Sequence, residues 1–221
     1  MRRALRLPVE ALSPYFFEVA MPRGPQALAQ QTLNVVPWSQ IFDNDRPVEI
    51  EIDFGKGLFL MNAGEARPQT NFFGIEIERK YTLLTATRLY RRGIANVKVA
   101  CCDARWLLTT HVAAGSVSAV HVYFPDPWWK NRHRKRRLFT PEFAAQVERV
   151  LEPGGSLHFV SDVEAYFNES VQMLHELPRL APLPAPSVKV PEHDLDYLTN
   201  FERKYRKEGR PIYRGEWRKE L

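Results

Sequence analysis

Cysteine is almost missing: Cys101 and Cys102 are the only two, and they are adjacent. That excludes a disulfide framework and the paired-cysteine spacings of zinc or redox sites, so a reducing cytoplasm is the expected setting. No apolar run approaches the length of a membrane span, and the longest are strand-sized. The opening "MRRALRLPVEAL" lacks the continuous apolar stretch of a secretion signal, and its three arginines leave an organelle presequence as the minor alternative. Neither membrane nor metal is expected. His111, His121, His133, His158, His175 and His193 show no ligand spacing and read as structural or surface residues.

Positive charge is abundant but uneven. Of 31 Lys and Arg against 26 Asp and Glu, residues 130–137 hold six cations and no acid, and residues 203–221 hold eight cations against three acids. The rest carries 17 cations against 23 acids. A mildly acidic body with two basic segments points to a polyanion that touches particular places. A solvated charge run is the plainer explanation.

With 221 residues, 44% of them hydrophobic, the chain suits a single α/β domain. Strand-like runs recur at 48–53, 71–77, 96–101, 117–124 and 155–161. Helix-period stretches lie near 57–66, 78–92, 104–113, 140–152 and 163–177. This alternation predicts a doubly wound, mostly parallel sheet. "EPGG" at 152–155 reads as a helix stop, and the proline-rich 178–191 as an extended connector. The segment after it is predicted to return as a basic helix and an antiparallel last strand. Residues 1–45 are set apart as an N-terminal arm from a domain spanning 46–221. Whether the chain is a monomer or a homodimer is left open.

"EIDFGKG" lies where the first strand turns into the first helix. Gly55 and Gly57 permit a tight turn, and the helix start offers free amides to an anionic group. Alone, such a turn is weak. Glu76, 19 residues past Gly57, ends the second strand, and Asp103 ends the third. In an open sheet these ends with Glu51 face one crevice, able to hold an adenosine-bearing ligand; helix capping is the competing explanation for Glu76 and Asp103. A third glycine is lacking, since Phe59 or Leu60 stands there, which disfavours NAD. Acids around the crevice favour a cationic ligand such as S-adenosyl-L-methionine. The fourth strand leads into "FPDPWWKNRHRKRRL", where Pro125 and Pro127 restrict Asp126 and Trp128 or Trp129 offers a stacking surface.

These motifs, with "GIEIERKY", "LEPGGSLHFVSDVEAY" and "TNFE", resemble the bacterial tRNA (guanine-N7)-methyltransferase family from about residue 48 to the C-terminus. The resemblance implies a Rossmann-like, S-adenosylmethionine-dependent enzyme that methylates N7 of the variable-loop guanosine 46 of tRNA. It implies that Glu51, Gly55, Gly57, Glu76, Asp103 and Asp126 surround the donor, with Asp126 catalytic. It further implies that Lys130, Asp162, Thr199, Asn200, Phe201 and Glu202 meet the substrate, and that Arg132, His133, Arg134, Lys135, Arg136 and Arg137 touch RNA. Two departures stand out. Asp53 replaces the family's usual first glycine of the cofactor loop, and Trp129 its usual proline. Competing readings are an RNA-binding protein with the same fold and impaired catalysis, a nucleotide-dependent oxidoreductase, and a methyltransferase for another RNA site or an amine.

Overall fold

The computed structural model describes residues 8–21, 33–128, 131–184 and 198–221, with the side chains of Val9 and Asn131 set aside. A 3-10 helix, Val9–Tyr15, and a short helix α1, Trp38–Phe42, precede the sheet. Strands β1 (Val48–Ile52), β2 (Asn71–Glu76), β3 (Val97–Cys101), β4 (Val117–Tyr123) and β5 (Leu151–Ser161) then alternate with helices. The helices are α2 (Leu58–Ala66), α3 (Arg79–Arg92), α4 (Ala104–His111), α5 (Pro141–Val150) and α6 (Glu164–His175). Strand β6 (Leu180–Pro182), helix α7 (Asn200–Lys207) and strand β7 (Tyr213–Lys219) complete the described chain.

The seven strands form one sheet in the order β3-β2-β1-β4-β5-β7-β6. β1 to β5 are parallel; β7 runs antiparallel between β5 and β6. Because β1 lies between β2 and β4, the winding reverses there, and a crevice opens at the carboxyl ends of those strands. The expected doubly wound sheet with an antiparallel last strand is what folds.

Every residue of β1 and β2 is buried, as strands covered on both faces must be. Phe73, Ile50, Ile52, Val120 and Phe159 enter one core beneath α1, α4, α5 and α6. Phe72, Val97 and Val99 enter the other beneath α2 and α3. Each such fully buried side chain contributes about 1.5–3 kcal/mol. The same alternation turns Glu49 and Glu51 into the second layer, so these buried acids need partners.

Two expectations change. "EPGG" is no simple helix stop, because β5 begins at Leu151, pairing with Val117, then bulges and rejoins β4 at Ser156 opposite Ala119. Gly154 at φ 85° permits the excursion, and a β-carbon at Gly155 would come within 2.9–3.1 Å of carbonyl oxygens. The 178–191 segment is also not all connector. Leu180–Pro182 adds an edge strand to β7, and residues 185–191 lie outside the described residues. In the unpatterned 1–45 segment, Phe16 bridges to Val99, and Leu12 is buried in the second core.

Candidate active site

The turn after β1 is built on three left-handed residues, Asp53 (φ 56°), Gly55 (φ 54°) and Gly57 (φ 68°). Asp53 therefore takes the backbone that a glycine adopts freely, and aspartate is among the few residues that tolerate it. The turn is closed by the Gly57 amide on the Phe54 carbonyl at 2.9 Å, and Asp53 stays tied to β2 through Ile75 O at 2.9 Å. Glu76 crosses to this turn. Its Oε2 accepts from the Gly55 amide at 3.0 Å and its Oε1 from the Glu78 amide at 2.9 Å. Asp103 caps α4 by accepting from the Arg105 amide at 2.8 Å, and it also holds the Arg105 guanidinium at 2.7 Å. The capping explanation is realised for Asp103, yet the residue still borders the crevice.

The crevice has two parts. A cleft of ≈ 620 Å³ is bordered by Asp53, Glu76, Asp103, Arg105 and Asp126. A narrower cavity of ≈ 260 Å³ is bordered by Glu51, Asp53, Phe59, Tyr123 and Asn200. Gly55, Tyr81 and the half-exposed Phe201 border both. Glu51 is 2% exposed, and its Oε2 has no hydrogen-bond partner.

Burial raises Glu51 well above the usual carboxylate range, reinforced by the charge of Glu76. Burial also raises Glu76, though the amides of Glu78 and Gly55 oppose this. Asp53 is pushed up to about 7 by burial, then by Glu76, Asp126 and Asp103. Asp103 goes the other way. Burial opposes its ionisation, but the bonds and charge of Arg105 overcome that and lower it.

Beyond β4 the chain enters a strained loop. Phe124 (φ 55°) and Trp128 (φ 44°) are left-handed residues with bulky side chains, conformations costing on the order of 1–3 kcal/mol each. The Phe124 amide is anchored to Val160 O at 2.7 Å, Pro125 is buried, and Asp126 is exposed at the cleft. The Trp128 ring has the Arg136 guanidinium 5.0 Å from its centroid and His133 at 5.7 Å. Trp129 and Lys130 lie outside the described residues.

The basic run divides. Arg137 donates to Pro127 O at 2.8 Å and to Glu169 at 2.5 Å, and Arg134 also binds Glu169, at 2.9 Å. Arg132 donates to His133 at 3.1 Å. Lys135 and Arg136 border the cleft. The carboxylate of Asp162 is paired with Arg210. Asn200 accepts from Arg203 at 3.3 Å. Thr199 and Glu202 turn inward: Thr199 caps α7 at 3.0 Å, and Glu202 holds the Leu198 amide at 2.7 Å and Arg214 at 2.6 Å. Sequence reading passed over Arg105 and Tyr81. Arg105 was legible as a cation two residues beyond Asp103, whereas nothing local marked Tyr81.

Residues 45–215 match a protein family described as a putative methyltransferase. A tRNA (guanine-N(7)-)-methyltransferase of Rhodopirellula baltica is 42% identical over 224 residues, covering 99% of this chain and 80% of the relative. One from Geobacter metallireducens is 33% identical over 211 residues, covering 96% and 95%. Among solved structures, the 16S rRNA methyltransferase KamB is similar with a TM-score of 0.62 at 13% identity, covering 83% of this chain and 93% of that one; this likeness concerns the fold alone.

Proposed function

The chain belongs to the tRNA (guanine-N7)-methyltransferase family, and from that premise we propose how its cleft performs the reaction. The enzyme transfers a methyl group from S-adenosyl-L-methionine to N7 of a guanine in tRNA. We take the target to be the variable-loop guanosine 46 and the setting to be cytoplasmic, in keeping with two free cysteines.

The residues present fit the donor. When bound, it supplies an electrophilic methyl group on a cationic sulfur. The orphaned Oε2 of Glu51 offers a buried acceptor, Glu76 and the Gly55–Gly57 turn form a polar cradle, and Asp103 and Asp126 border the same cleft. That convergence of strand-end carboxyl groups on one crevice carries the reading. Phe201, Asn200 and the loop around Trp128 stand on the substrate side, with Lys130 assigned there from the motif. Lys135 and Arg136 contact phosphates, while Arg134 and Arg137 hold the loop to Glu169. Thr199 and Glu202 act indirectly by fixing the start of α7.

Guanine N7 carries an in-plane lone pair and no proton at neutral pH, so no base is needed to free it. Positive charge passes from sulfur to the purine. Asp126 orients the base and stabilises the charge developing on it; alignment supplies most of the acceleration, roughly 7–11 kcal/mol in favourable cases.

Mass spectrometry of unmodified tRNA incubated with the protein and labelled donor tests the activity, with label expected at a single guanine. Asp126→Asn keeps shape and removes charge. Its expected effect is a loss of roughly 10²–10³ in kcat with donor and tRNA binding retained. Complete loss of turnover, with a parent rate profile rising at a carboxylate-like pKa, would restore proton transfer and overturn the orienting role.

A further inference from the structure

Among the described residues, Asp53 is the one acid that borders both the cleft and the cavity. Among the described residues, no side-chain hydrogen bond holds its carboxyl group. Charged or titratable groups surround it on every side: Glu51 on its own strand, Glu76 after β2, Asp103 and Arg105 at the start of α4, and Asp126 after β4. Tyr166 of α6 senses its charge from beneath, and Lys135 and Arg136 border the same cleft. The orphaned Oε2 of Glu51 in the same cavity is an independent sign of a ligand site, a buried polar atom with no partner among the described residues.

We propose that Asp53 is a specificity-determining residue whose carboxylate makes the site favour the cationic methyl donor over the neutral thioether left after transfer. The inference rests on the methyl-transfer reading above. Donor and product share adenosine, carboxylate and ammonium, and differ by a methyl group and the sulfonium charge it creates. A carboxylate held among other acids at the cleft separates two such ligands chiefly by that charge. It retains the donor before transfer and lets the spent product leave after it.

The free protein should show the corresponding strain. Burial and three acidic neighbours push Asp53 up to about 7. An acid raised on folding contributes stability below its unfolded pKa near 3.8, and that contribution is lost as pH rises through 7. Donor preference should therefore be strong at pH 8, where Asp53 is ionised, and weak at pH 6.

Calorimetric titration of the full chain with S-adenosylmethionine and, separately, S-adenosylhomocysteine at both pH values tests this, using the parent, Asp53→Asn and Asp53→Gly. Both replacements accept the left-handed backbone, so folding is kept, and both should melt higher than the parent at pH 8. The parent's product-to-donor Kd ratio should be roughly fivefold or more larger at pH 8 than at pH 6. Both variants should bring the pH 8 ratio down to the parent's pH 6 value. An unchanged ratio, or equal weakening of both ligands, overturns the proposal, because Asp53 would then meet only what they share. Absence of donor binding by the parent is a different result and sinks the methyl-donor reading itself, with the proposal.

Discussion

Gly57 begins α2 at φ 68°, and a β-carbon there would lie 2.4 Å from Thr85 Cγ2 of α3. Gly57→Ala must therefore strain the backbone and push two helices apart beside the cavity. A stability loss of about 1–3 kcal/mol from backbone strain alone is expected in urea denaturation, together with weakened donor binding. The neighbouring Asp53 shows why residue identity and backbone geometry are separate questions. Its departure from the family's glycine first suggests a damaged cofactor loop, yet the turn keeps its left-handed form and its hydrogen bonds. What the substitution changes is charge. Glu51, Asp53 and Asp103 each lie within a few residues of a strand end in the sequence, where nothing local marks how they ionise. The structure gives them three different protonation tendencies, because one is buried without a counter-ion, one is crowded by acids, and one has Arg105 beside it.

A buried acid ties helix α7 to strand β7. Glu202, 4% exposed, binds Arg214 across to β7 at 2.6 Å and Arg206 along the helix at 2.8 Å, and it also accepts the Leu198 amide. Glu202→Ala removes the buried carboxylate that Arg214 holds across to β7, a change expected to cost about 3–5 kcal/mol. Thr199→Ala removes only a cap, about 1 kcal/mol. Thermal melts of the two variants should keep that order, and a smaller loss for Glu202→Ala would show the pair to be dispensable. In the 3-10 helix Asn131–Arg136, Arg134 is tied to Glu169, whereas Lys135 and Arg136 border the cleft. Neutralising Lys135 and Arg136 should lower the slope of log affinity for tRNA against log salt by roughly one unit per contact. Arg134→Ala should instead loosen the loop from Glu169 and leave that slope nearly unchanged. The basic run was plain in the sequence. That Arg134 is tied to Glu169 was not, because the two lie 35 residues apart.

Across the sheet, a polar row leads to Tyr123 at the narrower cavity. Arg67 binds Glu49; Glu49 accepts from His121 Nε2 at 2.8 Å, and His121 Nδ1 meets the Tyr123 hydroxyl at 2.7 Å. His121 stacks on His158, 4.8 Å away at 10°, and His158 lies 3.7 Å from Glu216. Burial lowers His121, so the neutral ring donates to Glu49 and accepts from Tyr123. Burial and the neighbouring His121 lower His158 to about 4. Glu49 is held at about 2, with burial opposed and outweighed by His121 and Arg67. The unfolded chain takes up both protons first as pH falls. His158 should therefore withdraw on the order of 3 kcal/mol of stability as pH falls from 6.5 to 4, and Glu49 a further share from 4.5 towards 2. Denaturation midpoints of the parent and His158→Gln across this range check it: the gap between the two should change between pH 6.5 and 4, while the decline from 4.5 towards 2 should be common to both. By itself, the sequence determined the order of strands and helices, the crevice at the strand ends and the places where charge accumulates. Alternation, helical period, prolines and glycines all act over a few residues, and each is written locally. Only the tertiary structure decided which acids are pushed up in pKa and which are held down, which cations pair within the chain, and that 152–155 bulges and 180–182 pairs as strand. Those outcomes depend on partners such as Glu49 and His121, 72 residues apart, that folding alone brings within hydrogen-bonding distance and out of water.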